Sequence, residues 1–502
     1  MRFFSAIQNI VTRPQQYTVL NNGPTEPDDW KARLAAQLPP LHARSPFDQL
    51  ISDYLTEDEK PDLSSLICEC MKHGNVDVLA CVLAHEDIKT LCIEGPIDER
   101  GWKTFAKAMP DSLLVEELEL SEVTLDESKC KLLFNNVLIR MPALESLSLT
   151  RVMVKRDGSF DKLKCPDLPL LAKLEVWAYS NPNVSVYPLL REILKACQLR
   201  RLSIDASEAI TGREHSKLAN LLRDQNQMAS LKLKIETQKD FQCYMPFLCG
   251  KTSLVELDLR GCRIQGRNFN HLIKALSFNQ SALESLFVGN CSLDGDPRDK
   301  EMVVIDLLPL AELKGLKHLD LSGNHLQRRI TLRLLVELKA AATPLVTLNL
   351  SGNLIGPPAI SAIAAFLRES KTLLRLSFEP SVTQTNLRDV GVILDLVKAV
   401  KDNKSLLELQ FRWDPVLDEF RASVDAYLHR NRYAPQQAFM EAAVQTAEAF
   451  VMPMLAGDLQ YPQDMIGHII SQGLTEHDAL TLSSINHATR ASHEEFLRKA
   501  GS

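Results

Sequence analysis

The chain has 502 residues, a net charge of −7 and 45% apolar residues. That apolar share can fill a core, and the mild acidity excludes nucleic acid as the expected main partner, because DNA or RNA binding needs a basic stripe. No run approaches the ~20 apolar residues of a membrane-spanning helix, the opening MRFFSAIQNIVTRPQQ lacks the apolar centre of a secretory signal, and eleven scattered cysteines read as free thiols of a reducing compartment.

Residues 1–30 are polar and rich in Asn, Gln, Pro and Thr, the composition of a disordered leader. Such a leader can be an ordinary frayed terminus or a segment read by a bacterial export machine. Residues 31–87 show apolar positions at helical spacing in WKARLAAQL, FDQLISDYL, LSSLICECMKHG and VDVLACVLAHED. They are expected to form a helical cap over the open end of the core that follows. LPPLHARSPFDQLISDYL also has a faint likeness to an F-box, which would imply recruitment of ubiquitin-ligase machinery.

From residue 88 a template repeats: apolar, x, x, apolar, x, apolar. It matches twelve times, with first positions at Ile88, Val115, Leu144, Leu171, Leu199, Met228, Leu254, Leu283, Leu316, Leu345, Leu373 and Leu406. The spacings are 27, 29, 27, 28, 29, 26, 29, 33, 29, 28 and 33 residues. A single unit cannot bury its own Leu face, so the copies must stack and share one core. Repeats this long leave room for a full outer helix, and HLIKALSFNQ, LRLLVELKAAA and AISAIAAFLRES between the template copies have helical spacing. Helices are about 10 Å wide and strands about 4.8 Å apart, so the stack must curve with its strands inside.

The motifs LDLRGCRIQG (257–266), LFVGNCSLDG (286–295), LDLSGNHL (319–326) and LNLSGNLIG (348–356) carry a resemblance. Over residues 88–415 the chain is similar to the ribonuclease-inhibitor-like class of leucine-rich repeat proteins. The resemblance implies an α/β leucine-rich-repeat solenoid, a curved horseshoe with parallel strands on the concave face, helices outside and helical caps. It also implies that ninth-position side chains, here Cys262, Cys291, Asn324 and Asn353, bond buried backbone at the turn leaving each strand. Pro96, Val123 and Val152 depart from that pattern and leave their turn geometry open. Cys262 and Cys291 are therefore read as structural. No cysteine has the Cys-x-Asp signature of bacterial leucine-rich-repeat ubiquitin ligases.

Residues 416–502 break the repeat and read as a C-terminal helical segment. Its histidines, His468, His477, His487 and His493, match no compact ligand spacing, so no metal is assigned. The motifs of phosphate loops, dinucleotide folds, nucleophile elbows and zincins are missing. No catalytic residue and no cofactor is assigned, and the chain reads as a binding protein more than an enzyme.

Strand side chains alternate, so the third, fifth and seventh template positions point away from the core. The candidate partner-binding residues on that face are Glu119, Glu175, Trp177, Asp205, Asp258, Phe287, His318, Asp320, Arg375 and Arg412. Acidic positions (Glu94, Glu117, Glu119, Glu175, Asp205) favour the N-terminal half, and Trp177 and Phe287 are the aromatic anchors, with Trp413 at the end. The face is too mixed in sign for a tight inhibitor of a basic ribonuclease. The expectation is a monomeric, cytoplasmic scaffold that binds a protein partner, with no nucleic acid and no membrane span. Two alternatives stay open: an exported bacterial type III effector steering ubiquitination in a host cell through a terminal helical module, and an unrecognised transferase in the C-terminal segment.

Overall fold

The computed structural model describes residues 50–53, 63–85, 88–155, 160, 163–178, 184–206, 209–278, 282–293, 305–379, 390–412 and 420–433. The leader, the WKARLAAQL helix, Trp413, the four C-terminal histidines and most of the C-terminal segment lie outside the described residues. The chain divides into two compact units, Met1–Phe420 and Arg421–Ser502.

In the first unit, twelve strands form one parallel sheet in which each strand pairs with the next one of the repeat. They are β1 (Thr90–Glu94), β2 (Glu117–Ser121), β4 (Ser146–Thr150), β6 (Lys173–Trp177), β7 (Arg201–Asp205), β8 (Ser230–Leu233), β9 (Glu256–Asp258), β10 (Ser285–Phe287), β11 (His318–Asp320), β12 (Thr347–Asn349), β13 (Arg375–Phe378) and β14 (Glu408–Phe411). Two short strands, β3 (Thr124–Leu125) and β5 (Met153–Val154), pair separately.

The register follows the template. One column of fourth-position leucines crosses the whole sheet, from Leu91 opposite Leu118 to Leu376 opposite Leu409. Every first, fourth and sixth template side chain is buried except Leu409, which is half-buried on the last strand. At about 2 kcal/mol for each fully buried Leu, this shared core is the main stabilising term.

Helices alternate with the strands. They are α1 (Leu63–His73), α2 (Val76–His85), α3 (Glu99–Ala108), α4 (Glu127–Leu132), α5 (Tyr187–Ala196), α6 (Gly212–Arg223), α7 (Gln238–Gly250), α8 (Gln265–Phe278), α9 (Leu308–Ala311), α10 (Arg328–Ala340), α11 (Pro357–Glu369) and α12 (Val390–Asp402). The outer helices expected from HLIKALSFNQ, LRLLVELKAAA and AISAIAAFLRES are α8, α10 and α11. The starts of α3, α4 and α7 are set by side chains that accept otherwise orphaned N–H groups: Asp98 from Gly101 (2.7 Å), Asp126 from Lys129 (2.9 Å) and Thr237 from Asp240 (3.1 Å). After α4 the helix widens into a π turn at Leu133–Val137 and tightens at Leu138–Arg140.

Among the described residues the first strand has no strand on its outer side. Helix α1 serves it instead: Ser64 Oγ accepts from Cys92 N–H at 3.2 Å and Cys68 Sγ from Glu94 N–H at 3.2 Å. Those bonds satisfy edge groups that would otherwise be a template for aggregation. In the second unit, described residues 421–433 are helical, with Arg421 3.8 Å from Asp425 and His429 stacked 4.3 Å from Tyr433.

Candidate partner-binding face

The face is positioned by the turn that leaves each strand. Its eighth template position is left-handed in rungs 1, 2, 3, 7, 8, 9 and 10: Gly95, Glu122, Arg151, Gly261, Asn290, Gly323 and Gly352 have φ between +55° and +90°. In the first six of these the N–H donates to the seventh-position carbonyl of the next rung, as from Gly323 to Ser351 at 2.7 Å. Glycine adopts this conformation without a Cβ penalty, and Asn tolerates it. Glu122 and Arg151 hold it with full side chains.

At the ninth position the implied ladder is present. Asn324 is fully buried and its Nδ2 donates to the carbonyls of Val288 (2.7 Å) and Leu321 (2.9 Å), while its Oδ1 accepts from Cys291 N–H (2.9 Å). Asn353 repeats this, donating to Leu321 and Leu350 at 2.9 Å each and accepting from Leu326 N–H at 3.0 Å. Cys262 and Cys291 donate to the carbonyls of Leu233 (3.1 Å) and Leu259 (3.0 Å). Burial pushes the Cys262 thiol up to about 12 and raises that of Cys291 as well, so both keep the proton they donate.

A second ladder sits at the other end of the strands, three or four residues before the first template position. Gln225 donates to the carbonyls of Leu194 (2.7 Å) and Cys197 (3.0 Å), and Asn403 to those of Leu367 (2.7 Å) and Ser370 (2.9 Å). Arg140 and Lys251 treat the ends of α3 and α6 in the same way. Sequence reasoning missed these four residues. Their only signal is a long polar side chain at a fixed offset from the template.

The candidate residues fall into separate places on the face. Trp177 is 38% exposed, with the Arg151 guanidinium 4.9 Å from its ring, and Arg151 is in turn ion-paired with Glu122. On the same strand Glu175 is exposed and 3.3 Å from Lys173. Asp205, on the next strand, meets Lys234 at 3.2 Å. Glu119 lies two strands before Glu175, with Ser148 between them in register.

A second group lies in the middle of the sheet. Phe287 is half-buried under the Arg260 guanidinium at 5.1 Å, and Arg260 is held by Asp258 at 2.6 Å. These hydrogen bonds from Arg260 to Asp258 keep the guanidinium above its ordinary pKa. The expectation that all face positions are open does not hold here: Asp258 and Asp320 are only 4% and 9% exposed. Each bends back to accept the N–H two residues on, Asp258 from Arg260 at 3.0 Å and Asp320 from Ser322 at 2.9 Å. Gly289 lets this group pack closely, because a Cβ there would lie 2.7 Å from Ser322 Oγ. Towards the C-terminal end, His318 Nδ1 is 3.0 Å from Thr347 Oγ1, Arg375 is 3.5 Å from Glu408, and Arg412 is exposed. The structure therefore groups Trp177, Glu175 and Asp205 on neighbouring strands, and Asp258, Phe287 and Asp320 on three others, and leaves Arg375 and Arg412 at the far end.

The outer side has a different concavity, a groove of about 600 Å³ lined by Lys103, Asp126, Glu127, Ser128, Lys131 and Asn135 among others. None of the candidate residues reaches it. Among the described residues no group of three or more His, Cys, Asp or Glu is placed to hold a metal ion, and no helix is long and apolar enough to cross a membrane.

The comparison with known families agrees with the repeat. The description "Leucine Rich repeat" matches residues 341–364, which hold the lead-in to β12, that strand and the first turns of α11. With twelve rungs in one parallel sheet, the chain is a leucine-rich repeat protein. No curated protein matches it. Among solved structures it is similar to the complex of Rad7 and Elc1 in yeast, with 16% identity and a TM-score of 0.40, covering 82% of this chain and 92% of that one. It is also similar to the actin-binding site 2 of leiomodin-1, with 20% identity and a TM-score of 0.25, covering 40% of this chain and 95% of that one. The tropomodulin C-terminal domain of Caenorhabditis elegans has 13% identity and a TM-score of 0.20, covering 45% of this chain and 98% of that one.

Proposed function

We propose that residues 88–415 are a scaffold that binds a partner protein through the solvent-facing rows of the sheet, with Trp177 as its principal anchor. The observation that carries this reading is the exposure of Trp177, 38%, on the fourth of five successive five-residue strands paired in register. Among the described residues it is the one large apolar side chain of the third, fifth and seventh positions that stands this far out. An exposed indole flanked by charge is the usual composition of an interface hot spot. Glu119, Glu175 and Asp205 give that half of the face its acidic character, and His318, Arg375 and Arg412 serve as outlying contacts. Asp258, Phe287 and Asp320 form a rigid central floor.

In this reading residues 31–87 cap the N-terminal end, which the bonds from Ser64 and Cys68 to β1 support. Residues 1–30 are a leader and 416–502 a separate helical segment. The repeat length and outer helices support placement in the ribonuclease-inhibitor-like class, and the thiol form of the cysteines supports a reducing compartment such as the cytoplasm.

Affinity capture with the full chain tests the assignment. Trp177→Ala is expected to weaken capture of a specific partner by roughly tenfold or more while leaving the melting curve close to wild type. Val336→Ala, on the exposed side of α10, serves as the control and is expected to change neither. Capture that is equal for Trp177→Ala and wild type rejects the face as the binding surface.

A further inference from the structure

One rim of the sheet carries apolar side chains that the repeat does not use. The residue just before the first template position is polar or small in most rungs, among them Gln198, Gln227, Ser253, Gly315 and Thr372. In rungs 2 and 4 it is leucine, each time within an Asp-x-x-Leu run: DSLL at 111–114 and DLPL at 167–170. Leu114 is 66% and Leu170 52% exposed, while the template residues that follow them, Val115 and Leu171, are buried. Rung 3 has Pro142 and Ala143 at the same place and adds Ile139, 58% exposed, from the tight turn Leu138–Arg140.

The register gathers these residues. Leu118, Leu147 and Leu174 are aligned on β2, β4 and β6. The alignment runs back past the strands, with Glu145 N–H donating to the Glu116 carbonyl at 2.8 Å and Ala172 N–H to that of Glu145 at 2.9 Å. Leu114, Ala143 and Leu170 therefore form one row, and at about 4.8 Å per strand the two leucines stand about 10 Å apart. Leu113 N–H donates to the Arg140 carbonyl at 2.7 Å, which sets the turn carrying Ile139 beside that row. The backbone here is fixed: Leu113 and Leu138 are buried, and the Arg140 guanidinium is spent on the carbonyls of Ala106 and Met109. Carboxylates edge the patch. Asp111, Glu117, Glu145 and Asp167 are exposed, and among the described residues Asp111, Glu145 and Asp167 are in no ion pair. Lys89 is 3.2 Å from Glu116 and Lys173 3.3 Å from Glu175. Against the four carboxylates stand the exposed Lys107 and Lys164, so the rim is left negative.

We propose that this rim of rungs 2–4 docks a basic amphipathic helix of a partner protein, on a surface separate from the Trp177 row. An exposed apolar patch with a polar rim is the composition of an interaction site. The spacing selects the helix: side chains seven residues apart on one helical face are about 10.5 Å apart, whereas same-face side chains of a strand fall about 7 or 13 Å apart. The helix lies across the three strands. Its apolar residues at i, i+3 or i+4, and i+7 meet Leu114, Ile139 and Leu170, and its flanking Lys or Arg residues meet the carboxylates. A second copy of this chain docked through the same patch would set these carboxylates against their own symmetry mates, and an anionic membrane would be repelled by them.

Fluorescence anisotropy with the full-length protein tests this. The probe is a labelled Leu/Lys amphipathic peptide of about four helical turns, and its counterpart carries Glu at every Lys. The Leu/Lys probe is expected to bind roughly tenfold or more tightly than the Leu/Glu one and to weaken as salt rises. Leu114→Ser combined with Leu170→Ser is expected to weaken it by roughly tenfold or more, and Glu145→Lys with Asp167→Lys to weaken it from the charge side. All four side chains are exposed, so the melting curve is expected to stay close to wild type. Leu394→Ser, at an exposed leucine of α12, is the control and leaves binding unchanged. Trp177→Ala leaves it unchanged as well, so this rim and the Trp177 row stand or fall separately. Equal affinity of the probe for wild type and the double leucine variant overturns the proposal, as does equal affinity of the two probes for wild type. Self-association, or binding to phosphatidylserine vesicles, that the leucine substitutions abolish would give the patch another occupant and overturn it equally.

Discussion

Rungs 7–10 and rungs 2–3 solve the same problem by different means. Both must satisfy the backbone at the turn that leaves a buried strand. In rungs 7–10 side chains do it, with Cys262, Cys291, Asn324 and Asn353 reaching across to the neighbouring turn. In rungs 2 and 3 the ninth positions are Val123 and Val152, both fully buried and without a polar atom. There the backbone pairs with itself: Met153 N–H donates to the carbonyl of Val123 and Lys155 N–H to that of Leu125, each at 2.9 Å, forming the β3–β5 ladder. Loss of the polar side chain is thus accompanied by an extra strand pair, and the turns that the sequence left open are closed. The left-handed eighth position differs in parallel, being mostly glycine in the centre and Glu122 and Arg151 in rungs 2 and 3.

The largest test of this contrast is Asn324→Ala. The substitution strands the carbonyl of Val288 and the N–H of Cys291 in a site fully shut off from water, and takes from the Leu321 carbonyl one of the two amide donors it shares with Asn353. A loss on the order of 3–5 kcal/mol is expected in urea unfolding. Val123→Ala, at the same template position in rung 2, removes only methyl groups and is expected to cost about 2 kcal/mol. Equal costs at the two sites would mean that the polar ladder adds nothing beyond packing.

The reverse substitution sharpens the point. Val152→Asn places the ladder's own residue in a rung that has replaced the ladder. The turn here is already held by the N–H groups of Met153 and Lys155, which donate to the carbonyls of Val123 and Leu125, and Val152 is fully buried at the place an amide would have to enter. A buried amide without partners costs about 1–3 kcal/mol, so the variant is expected to be destabilised by about 2 kcal/mol in the same unfolding assay. A neutral or stabilised Val152→Asn would show that the two turn types are interchangeable.

The rungs were legible because burial imposes them. Leu91 to Leu409 recur at intervals that only a stack can use, and the helices at 265–278, 328–340 and 357–369 follow from their own periodicity. The β3–β5 pair was not legible, because Thr124–Leu125 and Met153–Val154 are too short to show any period and exist only where two adjacent rungs both lack the ninth-position polar group. The face was legible as a set of outward positions but not as a set of contacts. Alternation places Asp258 and Asp320 on it, yet their burial depends on Arg260 and on the turn N–H groups, which the template does not specify. The partner of Trp177 was hidden for the same reason: Arg151 lies at an eighth position, outside the rows that alternation selects.

The smallest effect is expected at Glu122, and it bears directly on how rungs 2 and 3 hold their turns. Glu122 has φ of +58°, a conformation that costs an L-residue about 1–2 kcal/mol. Glycine removes that cost but loses about 0.5–1 kcal/mol through the greater freedom of the unfolded chain. The ion pair with Arg151 is solvent-exposed on both sides, with 47% and 37% of the two side chains accessible, and such pairs are worth less than about 1 kcal/mol. Glu122→Gly is therefore expected to shift stability by no more than about 0.5 kcal/mol, on the stabilising side, measured by thermal and urea unfolding. A loss clearly above that would give Glu122, Arg151 and Trp177 a structural role, as an external brace for turns that lack the inner ladder. The exposed indole would then belong to the fold as much as to the binding face.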